Sequence, residues 1–564
     1  MKHIFSLMRG WPVAALLILL VLMGPVARAQ APAWQTAVAA SGNYSVANAT
    51  AADANGNVYI VGFFFSTATF GSITLTSAGH QDVFIAKWSS ISNSFVWAQR
   101  AGGTTNDVAT AVAVSGTTLY VAGWFESPTA TFGTTTMTNA SGNRDVFVTK
   151  LSDVGTTGDF SWSQRAGGIG EDRATAVGIS GASIYVAGQF SNTATFGSTS
   201  LTTRSSGGAD GFIAKLTDSG SNGGFVWTQQ TDGFLTALAV NGTSAYIAGA
   251  FATPTALFGG ISLVNANPTA MLTSYDAFVA KLSDAGSSAT FVWAHRAGGT
   301  GGDGASALTV NGTNVYIAGS FGSTTANFGN SVINNAGGSD IFVAKLADSG
   351  STSAFEWAYP AGGTGNDAAV ALAVKGGFIY LAGTVGNAAT FGTIQLTSGG
   401  MFVAKLVANG STGSFAWVQQ APVGIPYGLA ISGPNVFVTG FIYPPATFGS
   451  ILITRTATNE VSFLASLTDP TLTATNPALS GSAFTLAPHP ARASTIVQLP
   501  ALPGTTTATL TLLDALGRAV RTATVALPPA GLRHELNLAG LAPGLYALRV
   551  QAGPATATRR LVVE

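Results

Sequence analysis

A motif of about 63 residues returns seven times between residues 30 and 467, and nothing else in the chain restricts its fold as strongly. One segment of each copy is a tryptophan run. FVWAQRAGG holds Trp97, and its counterparts hold Trp162, Trp227, Trp293, Trp357 and Trp417, with PAWQTAVAASG placing Trp34 in the same role. A small-residue run such as ATAVAV follows, and then a run ending in glycine such as LYVAGWF, with Gly62, Gly123, Gly188, Gly249, Gly319, Gly383 and Gly440 in register. The fourth segment is DVFVTKL and its relatives, which carry Phe84, Phe147, Phe212, Phe278, Phe342, Phe402 and Phe463.

All four segments are short, rich in Val, Ile, Phe and Tyr, and bounded by Gly, Asn, Asp and Ser, which is the pattern of strands joined by turns. Four strands make one antiparallel sheet, and such a sheet cannot bury both faces alone, so the units must stack. The split copy decides how. The chain starts with a lone Trp34 strand, and its last copy ends at Leu467 without one. This predicts an all-β fold: a seven-bladed β-propeller closed by the N-terminal strand, with Gln30 to Ala40 completing the blade formed by Tyr427 to Leu467. Strands of Ala, Val and Thr belong nearest the axis, where sheets crowd, and the tryptophans belong outside as packing between blades. The repeated lysines Lys87, Lys150, Lys215, Lys281, Lys345 and Lys405 are expected to lie along blade surfaces. Asp153, Asp218, Asp284 and Asp348, each two residues before a glycine, read as turn formers.

Residues 1–29 have the form of a signal peptide: Lys2 and Arg9, an apolar run from Val13 to Met23, and small residues before a cleavage point between Ala29 and Gln30. The run is short for a membrane span, and no other stretch approaches one, so the mature chain is expected to have none. The chain has no Cys, which removes disulfides, thiolate metal sites and Cys nucleophiles. Charge is sparse and divided, with 14 basic against 21 acidic residues from Gln30 to Leu479 and 7 against 3 from Ser480 to Glu564. Neither part has the basic stripe that a nucleic acid requires.

The repeats resemble the bacterial seven-bladed beta-propeller repeat family often called SBBP, which implies this fold and an extracytoplasmic setting without a fixed activity. Asp284, Gly286 and Trp293 are also similar to the tryptophan-docking repeats of quinoprotein dehydrogenases, but those enzymes typically have eight blades and a disulfide of adjacent cysteines, so a quinone is not expected. After a Pro-containing linker (468–480), residues 481–564 change composition: all basic residues are Arg, and about seven short strands suggest a small Ig-like β-sandwich. This segment resembles the C-terminal sorting domain of cargo of the Bacteroidetes type IX secretion system, through LAPHPA, LLDALGRAV, LAGLAPGLYALRV and the terminal RRLVVE. Pro488, Pro490, Gly517, Arg518, Gly544 and Tyr546 carry the resemblance, with His489 a departure from the usual Asn. It implies contact with the outer-membrane secretion machinery, then surface attachment or release.

The longest connections predict where a ligand would bind. The ~20-residue insertion between second and third strands and the AGGTTND-type connection between units fall on one face, and binding residues tend to sit on loops held by a rigid scaffold. Asp107, Asp172, Asp303 and Asp367 lead into the axial strand and could ring a channel mouth, holding a cation or a hydroxyl-rich ligand; the alternative is that each caps its own turn, as for Asp82, Asp145, Asp210, Asp276 and Asp340. Catalytic constellations are thin. His80 and His295 occupy non-equivalent positions, and no GxSxG, phosphate loop or HExxH occurs. No cofactor, metal or catalytic residue is therefore expected. The reading is a secreted or surface-displayed binding or adhesion module with a glycan or protein ligand; the alternative is an extracellular carbohydrate-active enzyme, lyase or hydrolase, on the same scaffold.

Overall fold

The computed structural model describes residues 30–564 apart from 140, 205–207, 270–273, 411, 455–458, 473–483, 500–506, 515–517, 529–530 and 553–554. The signal-peptide reading, most of the linker and Gly517 thus lie outside the described residues. The protein is all-β and divides into two compact units, Met1–Asp469 and Pro470–Glu564.

In the larger unit the seven sequence copies become seven antiparallel sheets of four strands each, three of them extended to six strands by an added hairpin. The first is Ser41–Ala52, Asn57–Phe70, Ile73–Ser89 and Ser94–Ala101, and units 2 to 6 begin at Asp107, Arg173, Phe234, Asp303 and Ala368. Unit 7 is Ile425–Ser432, Asn435–Ile442 and Val461–Thr468, and its fourth strand is Trp34–Ala39, with Ala39 opposite Phe463 and Ala37 opposite Ala465. The two ends of the repeated region therefore do share one sheet.

The pairing corrects one assignment. In unit 1, Lys87 opposes Trp97 and Trp88 opposes Phe95 across a bulge. In unit 7, Ser466 opposes Thr36 and Leu467 opposes Trp34. Trp34 thus occupies the phenylalanine position, and Thr36 stands where the other units have tryptophan. Ring contacts agree: Trp34 meets Phe448 edge-on at 5.2 Å, as Phe95 meets Phe70 at 5.3 Å.

The apolar cores lie between units. One cluster takes Tyr59, Ile85 and Trp97 from unit 1 and Leu119, Phe147 and Leu151 from unit 2. Burying such a ring removes 150 to 250 Å² from water, roughly 4 to 6 kcal/mol as an upper bound at ~25 cal/mol/Å². The rings come close: a Cβ on Gly158 would lie 2.7 Å from Trp97, and one on Gly223 would lie 2.6 Å from Trp162, so any side chain there would displace the indole.

A polar network crosses the same seams, and here the lysines and the turn aspartates do more than expected. Asp153 of unit 2 accepts from Lys87 Nζ (2.6 Å), Tyr59 OH (2.7 Å) and Trp97 Nε1 (3.0 Å) of unit 1, and from its own turn amide, Gly155 N, at 3.0 Å. Asp218, Asp284 and Asp348 repeat this with Lys150, Lys215 and Lys281 at 2.6–2.7 Å. Asp469 takes Tyr380 OH at 2.7 Å and Lys405 Nζ at 2.9 Å. The lysines are buried, so they do not lie along the surface. Burial opposes ionisation of each aspartate, but the Lys, Tyr and Trp donors outweigh it, holding Asp153, Asp284 and Asp348 below the usual carboxylate range and Asp218 at about 2.

One seam has lost its acceptor. Asp348 opposes Ser353, and the register places Ala408, opposite Gly413, in the equivalent position of unit 6. Trp357 Nε1 is consequently buried without a partner, and Lys345 turns to Glu356 at 2.7 Å.

The insertions between second and third strands also differ from expectation. They fold into hairpins such as Thr193–Phe196 with Thr199–Thr202, which pair with the outer strand of the preceding unit (Gly167 opposite Thr195, Gly168 opposite Ala194). Their phenylalanines pack on the third-strand phenylalanines, as Phe132 does on Phe147 at 4.7 Å and Phe196 on Phe212 at 4.6 Å. Most of each insertion therefore knits units together.

The smaller unit has a three-stranded sheet, Thr485–Ala487, Ser494–Leu499 and Leu532–Asn537, and a four-stranded one, Thr507–Leu513, Ala519–Ala526, Gly544–Ala552 and Ala555–Val563. Val497, Leu499 and Leu536 from one and Leu510, Leu548 and Leu561 from the other form a common core.

Removing one partner from a buried ion pair leaves the other charge uncompensated, typically at a cost of about 3–5 kcal/mol. Asp284→Ala should therefore lower the melting temperature markedly. Ala408→Asp should raise it, because an acceptor returned to Trp357 and Lys345 relieves an unpaired buried donor worth about 1–3 kcal/mol. Differential scanning calorimetry of the two variants checks both signs.

Candidate functional site

Each first strand of the seven units carries a one-residue bulge, at Asn48, Thr110, Thr175, Thr236, Ser306, Val370 and Tyr427. A bulge turns an extra side chain out of the ladder. Here several of those side chains reach the next unit. Asn48 Nδ2 donates to Ala109 O (2.8 Å), Thr110 Oγ1 to Ala174 O (2.8 Å), Thr175 Oγ1 to Leu235 O (2.8 Å) and Thr236 Oγ1 to Ala305 O (2.6 Å). All seven bulge residues line one cavity of about 510 Å³, together with Trp124 and Arg173.

The cavity surroundings are not seven-fold. The residue after each second-strand glycine is Phe63, Trp124, Gln189, Ala250, Ser320, Thr384 and Phe441 in units 1 to 7. Aromatic rings thus cluster in units 7, 1 and 2, and the remaining units carry only polar or small residues. Tyr44 stacks near Phe63 at 5.7 Å, Tyr427 near Phe441 at 5.9 Å, and Phe441 meets Tyr443 edge-on at 5.7 Å. Tyr427 and Tyr443 are 40% and 54% exposed and Phe65 is 42% exposed, which is unusual for rings in so apolar a molecule.

Glu460 gathers these tyrosines. It accepts from Tyr443 OH, and burial together with a hydrogen bond to Glu460 pushes Tyr44 up to about 12; Tyr427 is raised by burial and by the Glu460 charge. In unit 2 the Arg144 guanidinium lies 4.3 Å over the Trp124 ring and pairs with Glu126 at 3.0 Å, and in unit 3 Arg173 donates to Gln189 at 2.7 and 3.1 Å. Flat aromatic faces beside fixed carboxylate and guanidinium groups suit recognition of a ligand that is part apolar and part hydrogen-bonding. Sequence reasoning missed this group. The signal was present as the one position of the YVAG strand that changes character from copy to copy.

The four aspartates foreseen as a rim are buried. Asp107 accepts from Gly103 N at 2.7 Å and Ser127 Oγ at 2.7 Å; Asp303 accepts from Gly299 N at 2.7 Å and Ser323 Oγ at 2.6 Å. Asp172 takes Gly168 N at 2.7 Å and Ser191 N at 3.2 Å, and Asp367 takes Gly363 N at 2.7 Å and Gly386 N at 2.8 Å. Their carboxylates are turned toward the amides of their own connections and away from solvent. Burial is the main influence on Asp107 and Asp172, reinforced by the neighbouring Asp82 and Asp145, and it pushes them up to about 6 and about 7 against the amide and hydroxyl donors. His80 is exposed beside Phe65, whereas His295 contacts Ser353 Oγ at 2.8 Å, so the two histidines make separate contacts. Among the described residues no group of three or more His, Asp or Glu could hold a metal.

In the smaller unit the motif residues sit at turns. Thr495 Oγ1 donates to Pro488 O at 2.8 Å, Arg518 Nε pairs with Asp514 at 2.8 Å, Tyr546 OH reaches Ala542 O at 2.9 Å, and Gly544 opens the third strand of its sheet. Residues 485–564 match the secretion system C-terminal sorting domain. The protein is accordingly extracellular, secreted or attached to the outer cell surface, and its last domain addresses it to the type IX secretion system. No helix among the described residues is long and apolar enough to cross a membrane.

The chain is similar to regulatory protein FlaEY of Caulobacter vibrioides, 27% identical over 403 residues; the match covers 67% of this chain and 40% of that protein, so the chain spans well under half of it. Among solved structures it is similar to a candidate 6-phosphogluconolactonase from Bacteroides uniformis (11% identity, 72% of this chain and 96% of that one, TM-score 0.37) and to another from Bacteroides fragilis (11%, 71% and 97%, TM-score 0.34).

The raised aspartates make a pH prediction. A carboxyl group whose pKa rises on folding contributes stability below its ordinary range and loses it as pH climbs through the folded value. Asp172→Asn and Asp107→Asn should therefore gain on the parent between pH 4 and pH 7, at up to about 1.4 kcal/mol per pH unit for one group. Urea midpoints across that range provide the measurement.

Proposed function

We propose that the seven sheets form a closed seven-bladed β-propeller of the SBBP-like repeat type, spanning residues 30–467, and that it acts at the cell surface as a binding or adhesion module. The domain plan behind this is a signal peptide cleaved between Ala29 and Gln30, a linker at 468–480 and an Ig-like sorting sandwich at 481–564. Closure is supported by the pairing of Trp34–Ala39 with the third strand of unit 7, by the cavity lined from all seven first strands, and by Ser432 Oγ of unit 7 donating to Asp53 O of unit 1 at 2.7 Å. Deleting residues 30–40 would expose the edge of unit 7. The truncated chain should melt lower and aggregate, as followed by light scattering during a thermal ramp; unchanged melting and solubility would argue against closure.

The observation that carries the binding role is the aromatic sector of units 7, 1 and 2, where Tyr427 and Trp124 line the cavity beside Arg173 and Glu460 gathers Tyr443 and Tyr44 near Tyr427. Ligands of that sector are a glycan or a protein surface. Glycan-array and pull-down screening of the mature chain, with a Tyr427→Ala/Tyr443→Ala double variant alongside, tests the reading. The variant should lose at least tenfold in affinity at unchanged melting temperature. Turnover of a polysaccharide by the parent, abolished by one carboxylate substitution, would replace it with the carbohydrate-active enzyme.

A further inference from the structure

Four pairs of aspartates bridge consecutive units: Asp82 with Asp107, Asp145 with Asp172, Asp276 with Asp303, and Asp340 with Asp367. Each pair closes around a glycine of the AGG connection, Gly102, Gly167, Gly298 or Gly362, whose φ of 132–148° favours glycine. A Cβ on Gly362 would lie 2.3 Å from Asp340 Oδ1 and 2.7 Å from Asp367 Oδ2, so these oxygens converge on one place and are no more than about 5 Å apart. Asp340 and Asp367 are 2% and 0% exposed, and Asp340 Oδ1 has no hydrogen-bond partner. The matching oxygens of Asp82, Asp145 and Asp276 are unpartnered too, so the convergence is common to all four.

Charge balance separates the fourth pair from its siblings. Arg100 reaches Asp82 at 2.6 Å, Arg165 reaches Asp145 at 2.7 Å, and Arg296 reaches Asp276 at 3.1 Å. These arginines oppose Phe84, Phe147 and Phe278 in the sheet, and the residue opposing Phe342 in unit 5 is Pro360. Three pairs thus have a guanidinium at hand. Among the described residues the fourth has none, although its two carboxylates are as deeply buried. Two neighbouring buried carboxylates without a cation are costly, and a metal ion is one of the ways in which proteins relieve that cost.

The surroundings say what kind of ion would suit. A Cβ on Gly338 would lie 2.3 Å from Asn366 Oδ1 and 2.9 Å from Gly365 O, so amide and carbonyl oxygens line the same two connections, 335–340 and 362–367. Ser339 N donates to Asn366 Oδ1 at 3.2 Å and Ala336 N to Asp340 Oδ2 at 2.6 Å, which fixes the amide and Asp340 in place, while Gly363 N and Gly386 N hold Asp367 at 2.7 and 2.8 Å. All of these candidate ligands are oxygen, the preference of hard cations such as calcium.

We propose that Asp340 and Asp367 hold a hard metal cation between units 5 and 6, in the role that an arginine plays at the three sibling pairs. The site departs from the expectation of no metal, and it lies in different units from the aromatic sector, so it stands whether or not that sector binds a ligand. The test uses the mature chain stripped with a chelator and titrated with calcium chloride, magnesium, sodium and potassium chlorides being run in parallel. Melting temperature and isothermal calorimetry are the readouts.

Calcium should bind saturably and raise the melting temperature by several degrees. Asp367→Asn should lose that response. Pro360→Arg, a change at an exposed strand position, should raise the stripped chain's melting temperature and remove its response to the ion. A melting temperature indifferent to all four cations, or a calcium response that survives in Pro360→Arg, would overturn the proposal. So would stabilisation of the stripped chain by acid alone to the level of Pro360→Arg, which would make a shared proton the occupant. Should Asp367→Asn fail to fold, the Pro360→Arg comparison decides the matter by itself.

Discussion

The buried carboxylate at the seam between units is what the larger unit is organised around. A four-stranded sheet with two apolar faces needs neighbours, but apolar contact alone does not fix how one sheet sits on the next. Asp153 and its counterparts supply that. Each accepts from a lysine, a tyrosine and a tryptophan on three different strands of the preceding unit. The three donors lie in one layer only if the sheets are in a single register, so the charge-assisted bonds select that arrangement from the many that hydrophobic burial would permit. The residues also explain one another. A lysine can be buried there because its ammonium meets the carboxylate, and the indole can fill the gap because its N–H has an acceptor.

Where the network is missing, the structure has found other means. At the seam between units 7 and 1 every member is replaced: Phe437 stands for the tyrosine, Ser466 for the lysine, Thr36 for the tryptophan and Ser90 for the aspartate. An indole arrives from the opposite side instead, since Trp88 occupies a place held by leucine in all six other copies and packs edge-on against Phe95 at 5.1 Å. Neutral contacts contribute to the join: Ser45 Oγ with Ser462 Oγ at 3.1 Å, and Thr36 Oγ1 with Asn93 Oδ1 at 3.3 Å. The fit is looser, and a groove of about 560 Å³ remains between Val38, Trp88 and Leu452. Two segments from opposite ends of the chain meet at this seam, and there the Glu460 carboxylate of unit 7 takes a hydrogen bond from Tyr44 of unit 1.

Strand order, unit boundaries and the shared final sheet were legible because a period of two in apolar residues and a split repeat are local properties of the sequence. The role of Trp34 was not, because residue type suggested one alignment and the backbone register required another, two positions along. Nor were the partners of the lysines. Lys87 and Asp153 lie 66 residues apart, and at sequence level the aspartate shows only its second role, holding the turn through Gly155 N at 3.0 Å. The burial of Asp107, Asp172, Asp303 and Asp367 was hidden for a related reason: an Asp that leads into a first strand can face outward or fold back on its own connection, and the adjoining glycines with φ near 140° favour the second.

That distribution of constraints also says where recognition chemistry can reside. Where a copy has them, the lysine, tyrosine, tryptophan and aspartate of the seam, the hairpin phenylalanine, the connection glycine and the paired aspartates are fixed by contacts with a neighbouring unit, and changing them disturbs two sheets at once. Freedom is left at the bulge, which lines the common cavity in every unit, and at the residue after the second-strand glycine, which reaches it in unit 2 through Trp124. The copies diverge at those two positions: glutamine, alanine, serine or threonine in four units, and phenylalanine or tryptophan in the contiguous three, with Tyr427 at the bulge of unit 7. A repeat that must be uniform to stack can become specific only at positions that stacking does not use, and the aromatic sector occupies those positions.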